Sequence, residues 1–159
     1  MISPEAIVSR GFMSQEDWDY CSSKAKELFA FGQKVAEEHG LILVDTKYEF
    51  GKDENGVIRL IDEIHTPDSS RYFYAEGYAE RQAKGEPQKQ LSKEFVREWL
   101  MAEGFQGQAG QQVPTMTPQV VEGISARYIE LYEHIMGEKF TGESPEGIEA
   151  RTVEFLARL

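Results

Sequence analysis

The sequence predicts an α+β domain, rich in helix, with several helices packed around a β-hairpin in a small antiparallel sheet. Three observations carry that prediction. Apolar residues recur at helical spacing in segments that have start and stop signals at their ends. An apolar run after Gly40 is turned back on itself by Asp53-Glu54-Asn55-Gly56, and Asn-Gly is a strong tight-hairpin signal. The length of 159 residues, with 40% apolar and 11% aromatic content, suits a single domain over 1–159 with a core of its own.

The elements run in chain order. Met1 to Ser14 reads as a lead-in, with a short helix start at Ser3-Pro4-Glu5 and a break at Gly11. Ser14 is a good N-cap, and Asp17 three residues on completes a weak capping box. Trp18, Cys21, Ala25, Leu28, Phe29, Gly32, Val35 and Ala36 then keep helical spacing up to a stop at His39-Gly40. Leu41 to Val44 reads as a buried strand running on through Tyr48 and Phe50, with Val57 to Ile64 returning. Thr66 to Ser70 is a loop. Tyr72 to Gln82 reads as wholly or partly helical, broken by Gly85-Glu86-Pro87. Ser92 caps a short helix carrying Phe95, Val96, Trp99 and Leu100, and the Gly/Gln-rich stretch from Gly104 to Pro114 is an exposed loop. Thr117-Pro118 opens a helix with Val120, Val121, Ile124, Tyr128, Leu131 and Ile135 on its apolar face, ended by Gly137. A last helix starts near Ser144-Pro145, with Ile148, Val153, Phe155, Leu156 and Leu159 apolar.

Charge and cysteine use narrow the partners. The formal net charge is −11, so there is no basic excess to release counterions from a nucleic-acid backbone. A small basic pocket for one phosphate stays open, since it depends on local field. A single cysteine, Cys21, excludes an intrachain disulfide framework and points to a reducing compartment. No apolar run reaches the roughly 18 residues that span a bilayer, and the N-terminus lacks a signal-peptide pattern, so the expected location is cytoplasmic with no membrane partner.

Chemistry-bearing residues concentrate between Asp45 and Arg71. On an extended strand Asp45, Lys47 and Glu49 share one face, with Val44, Tyr48 and Phe50 on the other. The hairpin brings Asp62 toward Glu49 or Asp45. Glu49 and Asp62 make a carboxylate pair suited to Mg²⁺, which takes few carboxylates and completes its shell with water and phosphate oxygens. Lys47 can neutralise anionic oxygens, and Asp45 can accept a proton or orient a nucleophile. A cross-strand salt-bridge ladder accounts for the same pattern equally well. Ser69, Ser70 and Arg71 offer hydroxyls and a guanidinium, and a helix starting after Ser69 or Ser70 would add its N-terminal dipole. A plain Ser cap with a surface Arg pair is the alternative. Lys93 and Arg97 lie one helical turn apart and either face solvent or reach a phosphate. His65, His39, His134 and Cys21 read as structural, and the familiar Gly-rich phosphate loops are missing.

The stretches Leu43-Val44-Asp45-Thr46-Lys47-Tyr48-Glu49-Phe50-Gly51 and Leu60-Ile61-Asp62-Glu63-Ile64-His65-Thr66-Pro67-Asp68-Ser69-Ser70-Arg71-Tyr72 resemble the two signature stretches of SAICAR synthetases. The similarity extends to Gln88–Leu100, to Ile124–Tyr128 and to the lead-in at Ile2-Ser3-Pro4-Glu5. It implies a purine-biosynthesis ligase of the cytoplasm that uses ATP and Mg²⁺ to join the carboxylate of CAIR to the amine of L-aspartate, through an acyl phosphate. By that resemblance Glu49 and Asp62 hold Mg²⁺ and nucleotide phosphates, and Lys47, Ser69, Ser70 and Arg71 bind substrate phosphate or carboxylates. Asp45 and Lys47 are the catalytic candidates, and Lys93 and Arg97 further substrate contacts. The resemblance begins mid-pattern. It implies the C-terminal half of the family fold, a nucleotide-covering half elsewhere, little activity alone, and pairing with that half or a second copy. A non-catalytic pairing module is the rival expectation.

Overall fold

The structure, a computed structural model, describes residues 2–158, so the expectations at Met1 and Leu159 lie outside the described residues. The fold is α+β as expected. Helix α1 (Pro4–Ser9) is capped by Ser3, with Pro4 in its first turn. Helix α2 (Gln15–Glu38) starts where Ser14 Oγ accepts the Asp17 N–H at 3.1 Å, and the chain leaves it through Gly40 at φ +71°. A left-handed turn suits Gly there because it has no Cβ to clash.

The strands depart from the single long hairpin. β1 (Leu41–Thr46) pairs antiparallel with β4 (Ser70–Tyr74), which also pairs with β5 (Gln90–Leu91). β2 (Glu49–Lys52) and β3 (Ile58–Ile61) form the tight hairpin by themselves, as a separate two-stranded sheet. The predicted strand from Leu41 to Phe50 is therefore two strands with different partners, interrupted at Lys47-Tyr48. A register shift between Leu43 and Asp45 also interrupts simple alternation, so Asp45, Lys47 and Glu49 do not share one strand face.

The segment expected to be helical from Tyr72 begins as strand β4 and becomes helix only at α3 (Tyr78–Lys84). Burial explains the choice. Leu41, Leu43, Tyr72, Leu91, Ala36 of α2 and Leu131 form the core, each at most 3% exposed, and Tyr72 stands opposite Leu43 in the β1–β4 ladder. α4 (Glu94–Ala102) follows β5, with Ser92 Oγ accepting the Glu94 N–H at 3.2 Å. α5 (Pro118–Met136) opens on Thr117 and closes on Gly137, as its caps predict, and Leu131 and Ile135 meet the core. α6 (Ile148–Leu156) starts later than Ser144-Pro145, and its Ile148, Val153, Phe155 and Leu156 are exposed. Among the described residues no helix is long and apolar enough to cross a membrane.

Candidate functional site

The β1–β4 ladder sets the first pair. Asp45 and Arg71 are direct cross-strand partners. The guanidinium donates from Nε to both carboxylate oxygens, at 3.1 and 2.9 Å, and from Nη2 to Oδ2. This forked geometry is strong for an ion pair, and it raises the Arg71 pKa further. Next along β4, Ser70 is 4% exposed and its Oγ donates to Thr46 Oγ1 at 2.8 Å, so its hydroxyl joins β4 to β1. Ser69 turns into the preceding loop, where its Oγ accepts the Thr66 N–H at 3.2 Å. A strand, and not a helix, begins at Ser70. The expected helix N-terminus is thus absent from this position, because the chain from Ser70 onward is drawn into the ladder with β1.

Asp45, Ser69, Ser70 and Arg71 line one cleft of about 290 Å³ together with Lys93 and Arg97. Lys93 and Arg97 arrive from the start of α4, which the Lys93 N–H fixes to the loop by donating to the Pro67 carbonyl at 3.2 Å. Arg97 is only loosely paired, 3.7 Å from Glu94. Three of the six side chains that the sequence singles out here are cationic, in a chain whose overall charge is strongly negative.

The second cluster lies beside it. The Lys47 N–H donates to the Ser69 carbonyl at 3.1 Å, joining the β1–β2 junction to the cleft wall. The Lys47 ammonium donates to Glu49 Oε1 and, at 3.2 Å, to Asp62 Oδ2. Glu49 opens β2, its Cα partner in the hairpin is Ile61, and Asp62 follows directly. The tight turn thus does bring Glu49 and Asp62 together, meeting on one ammonium. Lys47 is raised above its ordinary value by Glu49 first and Asp62 second, and Asp62 is held below the usual carboxylate range by Lys47 and the Glu63 N–H. These side chains are about half exposed, so solvent screens the attractions.

The donor chemistry fits Mg²⁺. Two hard carboxylate oxygens face a position already held by a cation, and the remaining coordination is left for water or phosphate oxygens. Among the described residues, no group of three or more His, Cys, Asp and Glu gathers as a fully protein-made metal site.

Sequence reasoning missed two residues that hold this region. Asp68 lines the cleft and accepts the Tyr128 hydroxyl of α5 at 2.8 Å. Burial, then Asp68, pushes that phenol up to about 12. Tyr128 sits in an apolar stripe, where its spacing is that of any core residue. His65 has the structural place expected of it: its Nε2 is 2.6 Å from the Tyr48 hydroxyl.

The SAICAR synthetase family profile matches residues 1–113. A phosphoribosylaminoimidazole-succinocarboxamide synthase of Bacteroides fragilis is 60% identical over 161 residues, covering 99% of this chain and 51% of that protein. One from Cytophaga hutchinsonii is 58% identical over 153 residues, covering 96% and 49%. A solved structure of SAICAR-synthase from Saccharomyces cerevisiae complexed with SAICAR superposes with a TM-score of 0.70 at 35% identity, covering 89% of this chain and 44% of that one. The chain spans about half the length of the curated relatives it matches. With the profile matching well over half its residues, the chain belongs to the SAICAR synthetase family.

Proposed function

We propose that this chain carries the metal- and substrate-facing half of a phosphoribosylaminoimidazole-succinocarboxamide synthase, an ATP-dependent ligase of purine biosynthesis. The carrying observation is the convergence of Glu49 and Asp62 on Lys47, directly beside a cleft that holds Arg71, Lys93 and Arg97. Glu49 and Asp62 would hold Mg²⁺ with the nucleotide phosphates. The chemistry Mg²⁺ supplies when bound is charge neutralisation on those phosphates. Lys47 then moves from carboxylates to phosphate or substrate oxygens, a short swing for a flexible ammonium. Asp45 occupies Nε and Nη2 of Arg71, so an anionic substrate oxygen meets the guanidinium from its Nη1 side. Lys93, Arg97 and the Ser69 loop complete the anion cleft.

The reaction in this reading has two displacements. The CAIR carboxylate oxygen attacks the γ-phosphorus of ATP and ADP leaves, giving an acyl phosphate. The L-aspartate amine then attacks the acyl carbon, phosphate leaves, and the amide forms. Asp45, whose two oxygens Arg71 engages, would orient the amine. Substrates are small molecules, with nucleic acid and membrane outside the reading, and the expected setting is the cytoplasm.

Mn²⁺ serves as the probe of the metal pair. On the full chain it should broaden the amide resonances around positions 49 and 62. Glu49→Gln and Asp62→Asn should each weaken binding by about tenfold or more. Broadening elsewhere, or unchanged affinity in both variants, would refute the assignment. ADP release with CAIR, L-aspartate and Mg·ATP should be far slower for this chain alone than for a full-length relative. Equal turnover would sink the view that a second half supplies essential nucleotide contacts.

A second reading is favoured by one observation. Phe12 is 71% exposed and Phe31 is 66% exposed, and the hairpin residues Leu60 and Ile61 are exposed as well. In that reading the chain is a module that pairs with the complementary half or with itself, without turnover of its own. Light scattering after size exclusion decides it: a clean monomer at high concentration, with no added half, counts against self-pairing.

A further inference from the structure

The segment from Asp62 to Ser69 carries one of the two proposed metal carboxylates, yet it lies between β3 and β4 without ladder partners of its own. It contains two non-glycine residues with positive φ, Asp62 at 64° and His65 at 55°. Such conformations cost of order 1 kcal/mol each and persist where the surroundings hold them. His65 is held by three contacts. Its Nε2 lies 2.6 Å from the Tyr48 hydroxyl, and the two rings meet edge to face with centroids 5.7 Å apart. Its carbonyl accepts the buried Tyr72 hydroxyl at 2.8 Å. Its ring fills the space beside Gly32, where an added Cβ would stand only 2.4 Å from Cε1.

Gly32 sits in the interior of a 24-residue helix, where glycine costs about 1 kcal/mol relative to alanine. The missing Cβ is what lets the imidazole in. Tyr48, in turn, stands between Lys47 and Glu49. The chain thus touches the Asp62 segment twice: Lys47 reaches Asp62, and Tyr48 reaches His65 three residues later.

We infer that His65 is a positioning residue, whose ring, seated against Gly32 and hydrogen-bonded to Tyr48, fixes where Asp62 lies relative to Glu49. The functional half of this inference rests on Glu49 and Asp62 being the metal pair. Burial holds the imidazole below its ordinary pKa, so the ring is neutral and keeps one nitrogen as an acceptor near pH 7.

Four variants of the full chain test it: His65→Ala, His65→Gln, Gly32→Ala, and the Gly32→Ala/His65→Ala double. Gly32→Ala should lower Tm with His65 present, and raise it by about 2–4 °C in the His65→Ala background, where only helix propensity remains. The same sign in both backgrounds overturns the packing. Amide exchange at Ser69 and Ser70 should quicken on the order of tenfold in His65→Ala and return toward wild type in His65→Gln, whose amide stands in for Nε2. Mn²⁺ affinity at Glu49 and Asp62 should fall about tenfold in His65→Ala and recover in His65→Gln. Wild-type Mn²⁺ affinity in a variant with quickened exchange overturns the positioning role. If wild type itself gathers no Mn²⁺ there, the metal reading falls, and the seating of the segment is then decided by the Tm sign and the exchange rates alone.

Discussion

Replacing Tyr72 with Phe removes one oxygen from the centre of the molecule. The ring is 2% exposed and packs with Leu41, Leu43 and Leu91, and Phe fills the same space, so the transfer and cavity terms are nearly unchanged. What is lost is the hydrogen bond from the Tyr72 hydroxyl to the His65 carbonyl, 2.8 Å long. A hydrogen bond of this kind contributes about 1 kcal/mol net, and a half-buried acceptor left without its donor adds to the loss. The expected cost is about 1–2 kcal/mol, or a fall of about 2–8 °C in Tm for a chain of this size. Urea unfolding measures it, with the denaturant slope expected to stay at the wild-type value because the surface exposed on unfolding is unchanged. Burial places the Tyr72 phenol up at about 12, so the bond is intact across the working pH range. A change under about 0.3 kcal/mol would refute the bond as a support of the segment. A loss of about 4 kcal/mol or more would show that Phe disturbs the core packing, contrary to the geometry of the ring's surroundings.

Other expectations can be checked on the same purified chain. Leu43→Ala should cost about 2–5 kcal/mol by urea unfolding, since Leu43 is 1% exposed and central to the core. Gly137→Ala should cost about 1–2 kcal/mol, all of it backbone: φ is +68° and an added Cβ meets nothing within 4 Å. Asp17 is held below its ordinary value of 3.8, first by Lys52 and then by Ser14. Its contribution to stability is thus present above about that pH and is lost as pH falls through the lowered value. Asp17→Asn should flatten the acid side of a Tm-versus-pH profile, and an identical slope in wild type and variant would exclude the pairing.

The helices were legible because their end signals are local. Ser14, Thr117-Pro118, Gly40 and Gly137 act through their own side chains or their lack of one, and the structure uses each as the sequence suggests. The Asp-Glu-Asn-Gly turn was legible for the same reason. The partner of each strand was not. Whether Leu41–Thr46 pairs with the strand after the turn or with Ser70–Tyr74 depends on which aromatic side chain is buried against it, and Tyr72 wins that place from 29 positions beyond Leu43. Tyr72-Phe73-Tyr74 is aromatic and strand-prone, but it runs directly into a helical pattern, which hides the boundary. In the candidate site, residue types and their order pointed to the Asp45–Arg71 region, and the structure gathers those residues into two adjoining clusters. The left-handed backbone at Asp62 and His65, and the vacancy at Gly32 that admits an imidazole, carry no periodic mark in a sequence.

The change of partner at Lys47-Tyr48 has a consequence for engineering and for how such chains vary. The β2–β3 hairpin stands beside the body as an outrigger, tied to α2 by the Lys52–Asp17 ion pair, and the β1–β4 register that sets Asp45 against Arg71 is made without it. Residues inserted at the tip, between Glu54 and Gly56, lengthen the outrigger and leave that register alone, which makes the tip a suitable graft point for a label or a binding peptide. One residue added at Lys47-Tyr48 instead shifts the hairpin, and Glu49 with it, relative to the cleft.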